Sequence, residues 1–264
     1  MDRLSLAVYR MLALSIILLP LLLGVSGVDY QKLAPLSAHL LLSGLCGAGF
    51  IWSQFYAVQF IPIGIATSLN QSTRTLSAFL LGYFLLDQSL IALQALLILV
   101  ILLATSLVGS TKNPMLHLNN NLVRGALVSA ISGLLGAVSL FILSFAIEQA
   151  NPYMIGYFWE FSILIGTLMI LAMRRISGRA GLQKISVQSF LKIAMASSST
   201  LIGTACAVMA LQQVSLAIFM AIGSLGVISA SLFGRLLYQE RLHQRQWLGI
   251  LLSLIAVSAL KLVT

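Results

Sequence analysis

Long apolar runs, separated by short polar interruptions, set the pattern of this chain. Each run is about long enough to cross the ~30 Å hydrocarbon core of a bilayer as a helix. None of them alternates with a period of two, as the strands of a membrane barrel do. The runs occupy residues 9–26, 36–60, 63–86, 90–109, 122–146, 153–174, 188–211, 214–237 and 245–263. The pattern predicts an all-α membrane protein, a polytopic bundle of about nine transmembrane helices.

The first run allows a second interpretation. A basic start, "MDRLSLAVYR", precedes the apolar "MLALSIILLPLLLGVSG", and this order also fits a cleaved signal peptide. Cleavage would leave eight spans. The composition indicates a membrane protein in either case, because 59% of the 264 residues are hydrophobic and only 8% are charged. Soluble domains carry roughly 25% charged residues.

Basic residues concentrate on one side of the predicted membrane. With nine alternating spans, Lys32 and Lys261 lie on one side and Arg74 lies within a span. The other twelve of the 15 Lys and Arg residues share the opposite side: Arg3, Arg10, Lys112, Arg124, Arg174, Arg175, Arg179, Lys184, Lys192, Arg235, Arg241 and Arg245. Lys and Arg mark the cytoplasmic side, so the N-terminus is predicted inside and the C-terminus outside. We expect a multi-pass protein of a cell membrane, the bacterial inner membrane, and no nucleic-acid partner, since the basic residues sit in short loops.

One predicted span carries a polar face. Four polar residues recur at helical spacing within the run 63–86: Thr67, Asn70, Gln71 and Arg74. They therefore share one side of a helix. An arginine at the centre of a span costs roughly 2.5–3.5 kcal/mol on insertion scales. Two interpretations stay open: a cavity wall in which Arg74 binds a carboxylate or phosphate, or a structural ion pair between two helices.

An acidic residue in another span offers a partner for that arginine. Glu160 lies in the run 153–174, at a depth within about 6 Å of Arg74 for helices that rise 1.5 Å per residue. Pairing with Arg74 would favour the structural interpretation, whereas an unpaired Glu160 fits a proton-coupled exporter. Tyr157 and Trp159 are close by in sequence. They predict either an interfacial aromatic belt or an aromatic wall of a binding site.

Two stretches repeat without a gap at an offset of 153 residues. The first, "AVQFIPIGIATSLNQSTRTLSAFLLGYFLLDQSL", begins at Ala57, and the second, "ALQQVSLAIFMAIGSLGVISASLFGRLLYQERLH", begins at Ala210. The offset pairs Asp87 with Glu240, so that each copy has an acidic residue after its span. One copy begins on the basic side and the other on the opposite side. The pattern therefore predicts two inverted repeats, as in alternating-access carriers.

The repeat divides the chain into unequal halves. Residues 1–110 are predicted to form a shortened repeat of four helices, and residues 122–264 a repeat of five. Residues 111–121 form the connecting loop.

The C-terminal residues carry a family resemblance. The stretch "AIGSLGVISASLFGRLLYQERLHQRQWLGILLSLIAVSALKL" resembles the closing helix pair of EamA-type members of the drug/metabolite transporter superfamily. The shared pattern is a helix of small residues, an acidic residue (Glu240), and "QWLG" opening the last span. "GALVSAISGLLGAVSLFILSFAIEQANPYMIGYFWEFSIL" is similar to the first two helices of that family's second repeat, and Arg10 stands where its second helix often has Arg. The resemblance covers essentially the whole chain.

This chain departs from the family pattern in three ways. Members usually have ten helices, five in each repeat, whereas the counterpart of helix 122–146 is missing here. We expect either a gene start upstream of Met1 or a shortened member. Members often carry Pro thirteen residues before each acidic residue, where this chain has Arg74 and Val227. Both ends are commonly cytoplasmic in the family, but the charge distribution places this C-terminus outside.

These observations together predict a transporter. The sequence contains no HExxH, Walker A or GxSxG motif, so we expect no enzyme, metal or cofactor. The resemblance implies a secondary transporter that exports a small polar or amphipathic metabolite by alternating access. A flippase for a lipid-linked sugar and a non-transporting membrane subunit are the alternatives. Expected partners are a small-molecule substrate, membrane lipids and a second copy of the chain in a homodimer. The candidate substrate-binding residues are Thr67, Asn70, Gln71, Arg74, Tyr157, Trp159 and Glu160.

Overall fold

The structure is a computed structural model that describes residues 2–24, 30–88, 90–109, 120–147, 149–178, 181–238 and 243–263. These residues are helical and include no strand. Their ten α-helices are α1 (Arg3–Gly24), α2 (Leu33–Ala57), α3 (Ile63–Leu85), α4 (Ala92–Gly109), α5 (Asn120–Ile147), α6 (Pro152–Ile176), α7 (Val187–Leu211), α8 (Leu216–Gly223), α9 (Leu225–Tyr238) and α10 (Gln244–Val263). The prediction of an all-α fold is confirmed. The predicted loop at 111–121 and the acidic residue Glu240 lie outside the described residues, apart from the first turn of α5.

Eight of the nine predicted spans each form one helix, but the run 214–237 forms two. The helix is interrupted at Ser224, between α8 and α9. The Ser224 hydroxyl donates to the Ala221 carbonyl at 2.5 Å, in competition with the backbone of the helix. Gly223 and Gly226 flank this point, and glycine has a low helix propensity. The predicted span 214–237 is thus helical on both sides of one turn residue, whose backbone keeps a helical conformation and whose amide donates to the Met220 carbonyl four residues earlier.

Helix length and surface composition both fit a bilayer. Four described helical segments are long and apolar enough to cross one, judged by length and composition: Arg3–Gly24, Tyr30–Ala57, Asn121–Ile147 and Pro152–Ile176. Shorter apolar helices cover Ala92–Val108, Leu216–Ser229 and Gln244–Leu260. Large apolar side chains such as Leu103 and Phe84 are more than two-thirds exposed. Such exposure is unfavourable in water and favourable in lipid.

The helices form two compact units, each built from two separate segments of the chain. Unit 1 contains Met1–Trp52 and Val138–Gln213, and unit 2 contains Ser53–Ala137 and Val214–Thr264. Each unit therefore draws helices from both halves of the sequence. The predicted division into halves at residues 111–121 concerns the repeat rather than these units, and it stays a prediction.

In unit 1, α1 packs on α6 and α7. Arg174 near the end of α6 forms an ion pair of 2.8 Å with Asp2, which precedes α1. Helix α2 joins the unit through exchanged hydroxyl bonds: Ser43 Oγ donates to the Ser139 carbonyl at 2.6 Å, and Ser139 Oγ donates to the Ser43 carbonyl at 2.8 Å. Hydroxyl bonds between helices are a common means of association in lipid.

In unit 2, α4 packs along α10, and α3 packs on α8 and α9. A Cβ atom at Gly249 would lie only 2.6 Å from the Ala104 carbonyl oxygen, so glycine permits the close approach of α10 to α4. An apolar core joins α4, α8 and α10 through Ile98, Ile101, Ala217, Ile218, Ala221, Ala256 and Leu260.

The helix bounds in unit 2 follow the repeat in the sequence. Helix α3 begins at Ile63 and α8 begins at Leu216, which are 153 residues apart, the offset of the repeat. The starts of α4 at Ala92 and of α10 at Gln244 agree with the same offset to within one residue. Helices that correspond by sequence are thus also neighbours in space.

Candidate functional site

The polar face of α3 is largely engaged with neighbouring helices. Asn70 and Gln71 are buried, with 3% and 9% of their surface exposed. The Asn70 amide donates to Ser132 Oγ of α5 at 2.7 Å. The Thr67 hydroxyl donates to the Ile63 carbonyl of its own helix at 2.7 Å. The Asn70 bond therefore joins α3 to α5, whereas the Thr67 bond stays within α3.

The interruption between α8 and α9 lies against α3. The Met220 carbonyl, in the last turn of α8, accepts a hydrogen bond from Gln71 Nε2 at 3.0 Å and from Thr75 Oγ1 at 3.3 Å. The Ser224 amide also donates to it, at 3.2 Å. The Met220 carbonyl therefore keeps its helical partner, the Ser224 amide, and accepts two further bonds from side chains of α3.

Arg74 lies within this part of unit 2 and is partly buried. In the sequence of α3 it lies between Gln71 and Thr75, the two residues that bond to α8. On another side, Gly133 of α5 lies against the backbone of α3. A Cβ atom there would collide with the Asn70 carbonyl oxygen and stand 2.9 Å from the Arg74 amide nitrogen. The packing of α5 and α8 on α3 thus fixes the backbone that carries Arg74.

A groove of about 250 Å³ runs between α3 and α4. Its lining combines hydroxyls with exposed leucines: Ser72, Thr73, Leu76, Leu99, Leu102, Leu103 and Ser106. Because Leu76, Leu99 and Leu103 are each about half exposed or more, the groove opens on the outer surface of unit 2.

Glu160 belongs to unit 1, where α7 supplies its hydrogen-bond partner. The carboxylate is 6% exposed and accepts a bond of 2.7 Å from Thr204 Oγ1. A Cβ at Gly156 would stand 3.3 Å from the Thr204 methyl group, so glycine permits this approach of the two helices. Arg74 belongs to unit 2, and its pairing with Glu160 stays a prediction.

The two aromatic candidates of α6 point to different neighbours. The Trp159 indole donates to Ser139 Oγ of α5 at 3.3 Å. Tyr157 stacks on Phe161 one turn later, with ring centroids 6.2 Å apart. The structure therefore gives Trp159 and Glu160 separate partners within unit 1. The binding role assigned to the seven candidates stays a prediction.

Sequence reasoning missed several residues at these sites. Thr75 lies four residues after Gln71 and so extends the same helical face, a signal that was available. Ser132 and Thr204 are the partners of Asn70 and Glu160. They lie in stretches of small residues, and their pairing depends on contacts between helices distant in sequence.

Comparison with known proteins supports the resemblance. The family described as "EamA-like transporter family" matches residues 1–110 and 123–261, nearly the whole chain. A search of curated proteins finds no match. A solved structure described as "Crystal structure of protein" superposes with a TM-score of 0.74 at 13% identity, covering 100% of this chain and 88% of that one. At this identity the likeness concerns the fold alone.

Proposed function

Because the chain belongs to the EamA-like transporter family, a family of multi-pass membrane transporters rather than enzymes, we propose that it exports a small polar or amphipathic metabolite across the bacterial inner membrane by alternating access. Arg74 is the residue that would recognise the substrate, through a carboxylate on it. The proposal rests above all on one observation: the span α3 carries Arg74 on the polar stretch whose residues Gln71 and Thr75 bond to the last turn of α8.

The interruption supports transport because broken helices are where carriers place their binding sites. A continuous transmembrane helix satisfies its own backbone, whereas a broken one leaves polar groups that lipid cannot satisfy. Such breaks are tolerated where they are buried in protein or line a cavity, and in transporters they lie near the substrate. Here Gln71 and Thr75 bond to the Met220 carbonyl, one turn before the irregular residue Ser224, and Arg74 lies between them in the sequence of α3.

Arg74 suits an anionic substrate. Its guanidinium stays charged and presents a planar set of donors that matches a carboxylate. A charge in a span is costly, so it is retained where it has a function or a partner. An oriented carboxylate would receive charge-assisted hydrogen bonds, which are stronger than neutral ones.

Metabolite export tests this proposal directly. Cells that overproduce the protein should accumulate a defined set of carboxylate-bearing compounds in the medium, as measured by untargeted mass spectrometry. Arg74→Gln, produced at the same level in the membrane, should abolish that accumulation. Arg74→Lys, which keeps the charge but loses the planar fork, should give an intermediate result. An unchanged medium with the wild-type protein, or equal accumulation with Arg74→Gln, would refute the proposal.

The groove between α3 and α4 favours a second candidate function, a flippase for a lipid-linked sugar. The groove opens on the outer surface of unit 2, and Thr73 and Ser106 line it among leucines. A lipid-linked sugar combines a long apolar chain with a hydroxyl-rich head, and such a surface could accommodate both. Translocation of a fluorescent polyprenyl-phosphate sugar in vesicles distinguishes the two functions, since an exporter of free metabolites would not move it.

A further inference from the structure

The connection between α6 and α7 carries an excess of positive charge at one end of unit 1. Residues 174–192 contain five Lys and Arg residues and no Asp or Glu. Arg174 is neutralised by its 2.8 Å ion pair with Asp2. Three of the others are exposed and form no hydrogen bond or ion pair with another described residue: Arg175, Lys184 and Lys192. Within the described part of the chain, these three positive charges are therefore available to an external partner.

Helix α1 holds the backbone of this connection in place. The Gln183 amide donates to Ser5 Oγ at 3.0 Å, and Tyr9 Oη donates to the Gln183 carbonyl at 2.9 Å. The Asp2 amide donates to Gln183 Oε1 at 2.8 Å. Gly178, in the left-handed region at φ 73°, turns the chain away from the end of α6. The exposed side chains on either side of Gln183 are thus presented by an anchored backbone.

Exposed apolar side chains accompany these charges. Ile176 at the end of α6 and Val187 at the start of α7 are 86% and 76% exposed, and Leu182 between them is 43% exposed. Met173 and Leu191 continue the exposed apolar surface by about one turn into each helix. Contact with hydrocarbon is favourable for such side chains. Basic and apolar side chains in this arrangement fit the boundary between the acyl chains and the headgroups of a bilayer.

The three free charges can reach the same headgroup layer. The Arg175 side chain lies beside the connection, since a Cβ atom at Gly181 would stand 3.9 Å from Arg175 Cδ. Lys184 follows Gly181 by three residues, at most about 11 Å along the chain. Lys192 lies five residues beyond the start of α7, about 7.5 Å into the helix. Its long apolar stem allows the ammonium group to extend back to the headgroups.

We propose that the connection between α6 and α7 is a binding surface for anionic phospholipids. Arg175, Lys184 and Lys192 bind the phosphate-bearing headgroups, while Ile176 and Val187 lie among the acyl chains. A basic residue near an anionic membrane surface contributes roughly fivefold in affinity. A zwitterionic lipid gains less, because its own ammonium group balances its phosphate. The surface therefore selects lipids by charge, and this inference goes beyond the proposed export function, since it holds whatever compound is transported.

Native mass spectrometry of the full-length protein in a neutral detergent tests this surface. Phosphatidylglycerol and phosphatidylcholine with identical acyl chains are added at matched concentrations, and the lipids bound to the intact protein are counted. The first phosphatidylglycerol should bind at least about tenfold more tightly than phosphatidylcholine. Equal affinities would refute the inference. Glycerol phosphate at the same concentration should not displace the lipid; full displacement would identify a site for a soluble phosphate compound and would overturn the inference.

Charge-removing variants then assign the preference to this surface. The combined variant Arg175→Gln, Lys184→Gln and Lys192→Gln should reduce the preference for phosphatidylglycerol to about twofold or less. A matched control removes three basic residues elsewhere: Lys32→Gln, Arg245→Gln and Lys261→Gln. This control should keep the preference within about twofold of that of the wild-type protein. Equal losses in the two variants would mean that net charge alone attracts the lipid, and the inference would be wrong.

The wild-type protein keeps the test decisive if the combined variant does not fold. Salt shortens the range of exposed charges from about 10 Å at 0.1 M to about 3 Å at 1 M. The preference for phosphatidylglycerol should therefore fall at least about threefold when ammonium acetate is raised over this range, and an unchanged preference contradicts the inference. The outcome is separable from that of the export experiment. Lipid selection without metabolite export would leave this surface standing, whereas export by a protein that does not select lipids would remove this inference alone.

Discussion

Arg74 shows how much a single side chain can indicate in a membrane protein. It lies in the span formed by α3 and is partly buried in unit 2, next to residues whose polar groups are engaged with α5 and α8. Lipid would not solvate it, so its surroundings are protein, water or substrate. Contact with water or substrate would give Arg74 a role in transport, whereas contact with protein alone would give it a role in stability.

Replacement of Arg74 separates the two roles. Arg74→Ala should abolish export with little loss of folded protein, because water can occupy a binding cavity in place of the side chain. A broken buried ion pair would instead cost about 3–5 kcal/mol and leave little monodisperse protein. Size-exclusion profiles and vesicle uptake measure both effects, with Thr73→Ala as the neighbouring control. Recovery of folding and transport in Arg74→Ala combined with Glu160→Gln would contradict the binding role and establish a structural pair.

At Gly133, a single added carbon atom should affect the stability of the protein. A Cβ there would collide with the Asn70 carbonyl oxygen, and overpacking of this kind costs about 1–3 kcal/mol. Gly133→Ala should therefore lower the melting temperature of the purified protein. Gly226→Ala is the matched control, since a Cβ at Gly226 meets nothing within 4 Å. Equal melting temperatures for the two variants would show that α5 does not press on α3 as the structure indicates.

At the scale of elements, the interruption between α8 and α9 depends on side chains of α3. Three donors reach the Met220 carbonyl: Ser224 N, Gln71 Nε2 and Thr75 Oγ1. A carbonyl oxygen has two lone pairs. One donor can therefore be lost without leaving the carbonyl unsatisfied, but the loss of both side-chain donors leaves only the backbone amide.

Because the donors share one acceptor, the losses of stability caused by removing the two side-chain donors should not be additive. Gln71→Leu and Thr75→Val should each cost less than about 1 kcal/mol, whereas the double variant should lose more than their sum. Hydrogen exchange of residues 216–224 should accelerate in the double variant only. Ser68→Ala, which removes a bond from α3 to the Thr105 carbonyl, provides a control on the same helix. Strictly additive effects would show that the two donors do not share one acceptor.

A comparison of α3 with α8 and α9, which correspond to it in the repeat, shows which helix bounds the sequence predicts. The bounds of α3 were predicted to within one residue, because Pro62 and the polar turn after Leu85 limit the apolar run. The break at Ser224 was not predicted, since Gly223, Ser224 and Gly226 are small residues that also occur in continuous transmembrane helices. Likewise, the polar face of α3 was visible from spacing. Its partners on α5 and α8 were not, because spacing within one helix carries no information about neighbouring helices.

At the scale of the whole molecule, the chain forms two units that each combine both halves of the sequence. The distribution of Lys and Arg predicts the orientation of the spans in the membrane, and this prediction does not depend on how the helices pack. The basic residues between α6 and α7 are predicted to be cytoplasmic, and the C-terminus is predicted to be outside.

Reporter fusions test that orientation. A fusion at Gly181 should give a cytoplasmic signal in paired phosphatase and fluorescent-protein reporters, and a fusion at Thr264 should give the opposite one. Removal of the basic residues Arg174 and Arg175 should weaken this preference, whereas removal of Lys32 should not. A cytoplasmic signal at Thr264 would contradict the positive-inside argument for this chain.

The packing of α1 on α6 and α7 also has a consequence for synthesis. Helix α1 leaves the ribosome first, yet its ion-pair partner Arg174 follows Asp2 by 172 residues. At roughly 5–20 residues per second, about 9 to 35 seconds pass before that partner is made. During this interval the nascent α1 carries Arg10 into the membrane before its packing partners α6 and α7 exist. Insertion factors that shelter a charged helix should therefore be required early, and a chain arrested before α6 should be a substrate for membrane proteolysis.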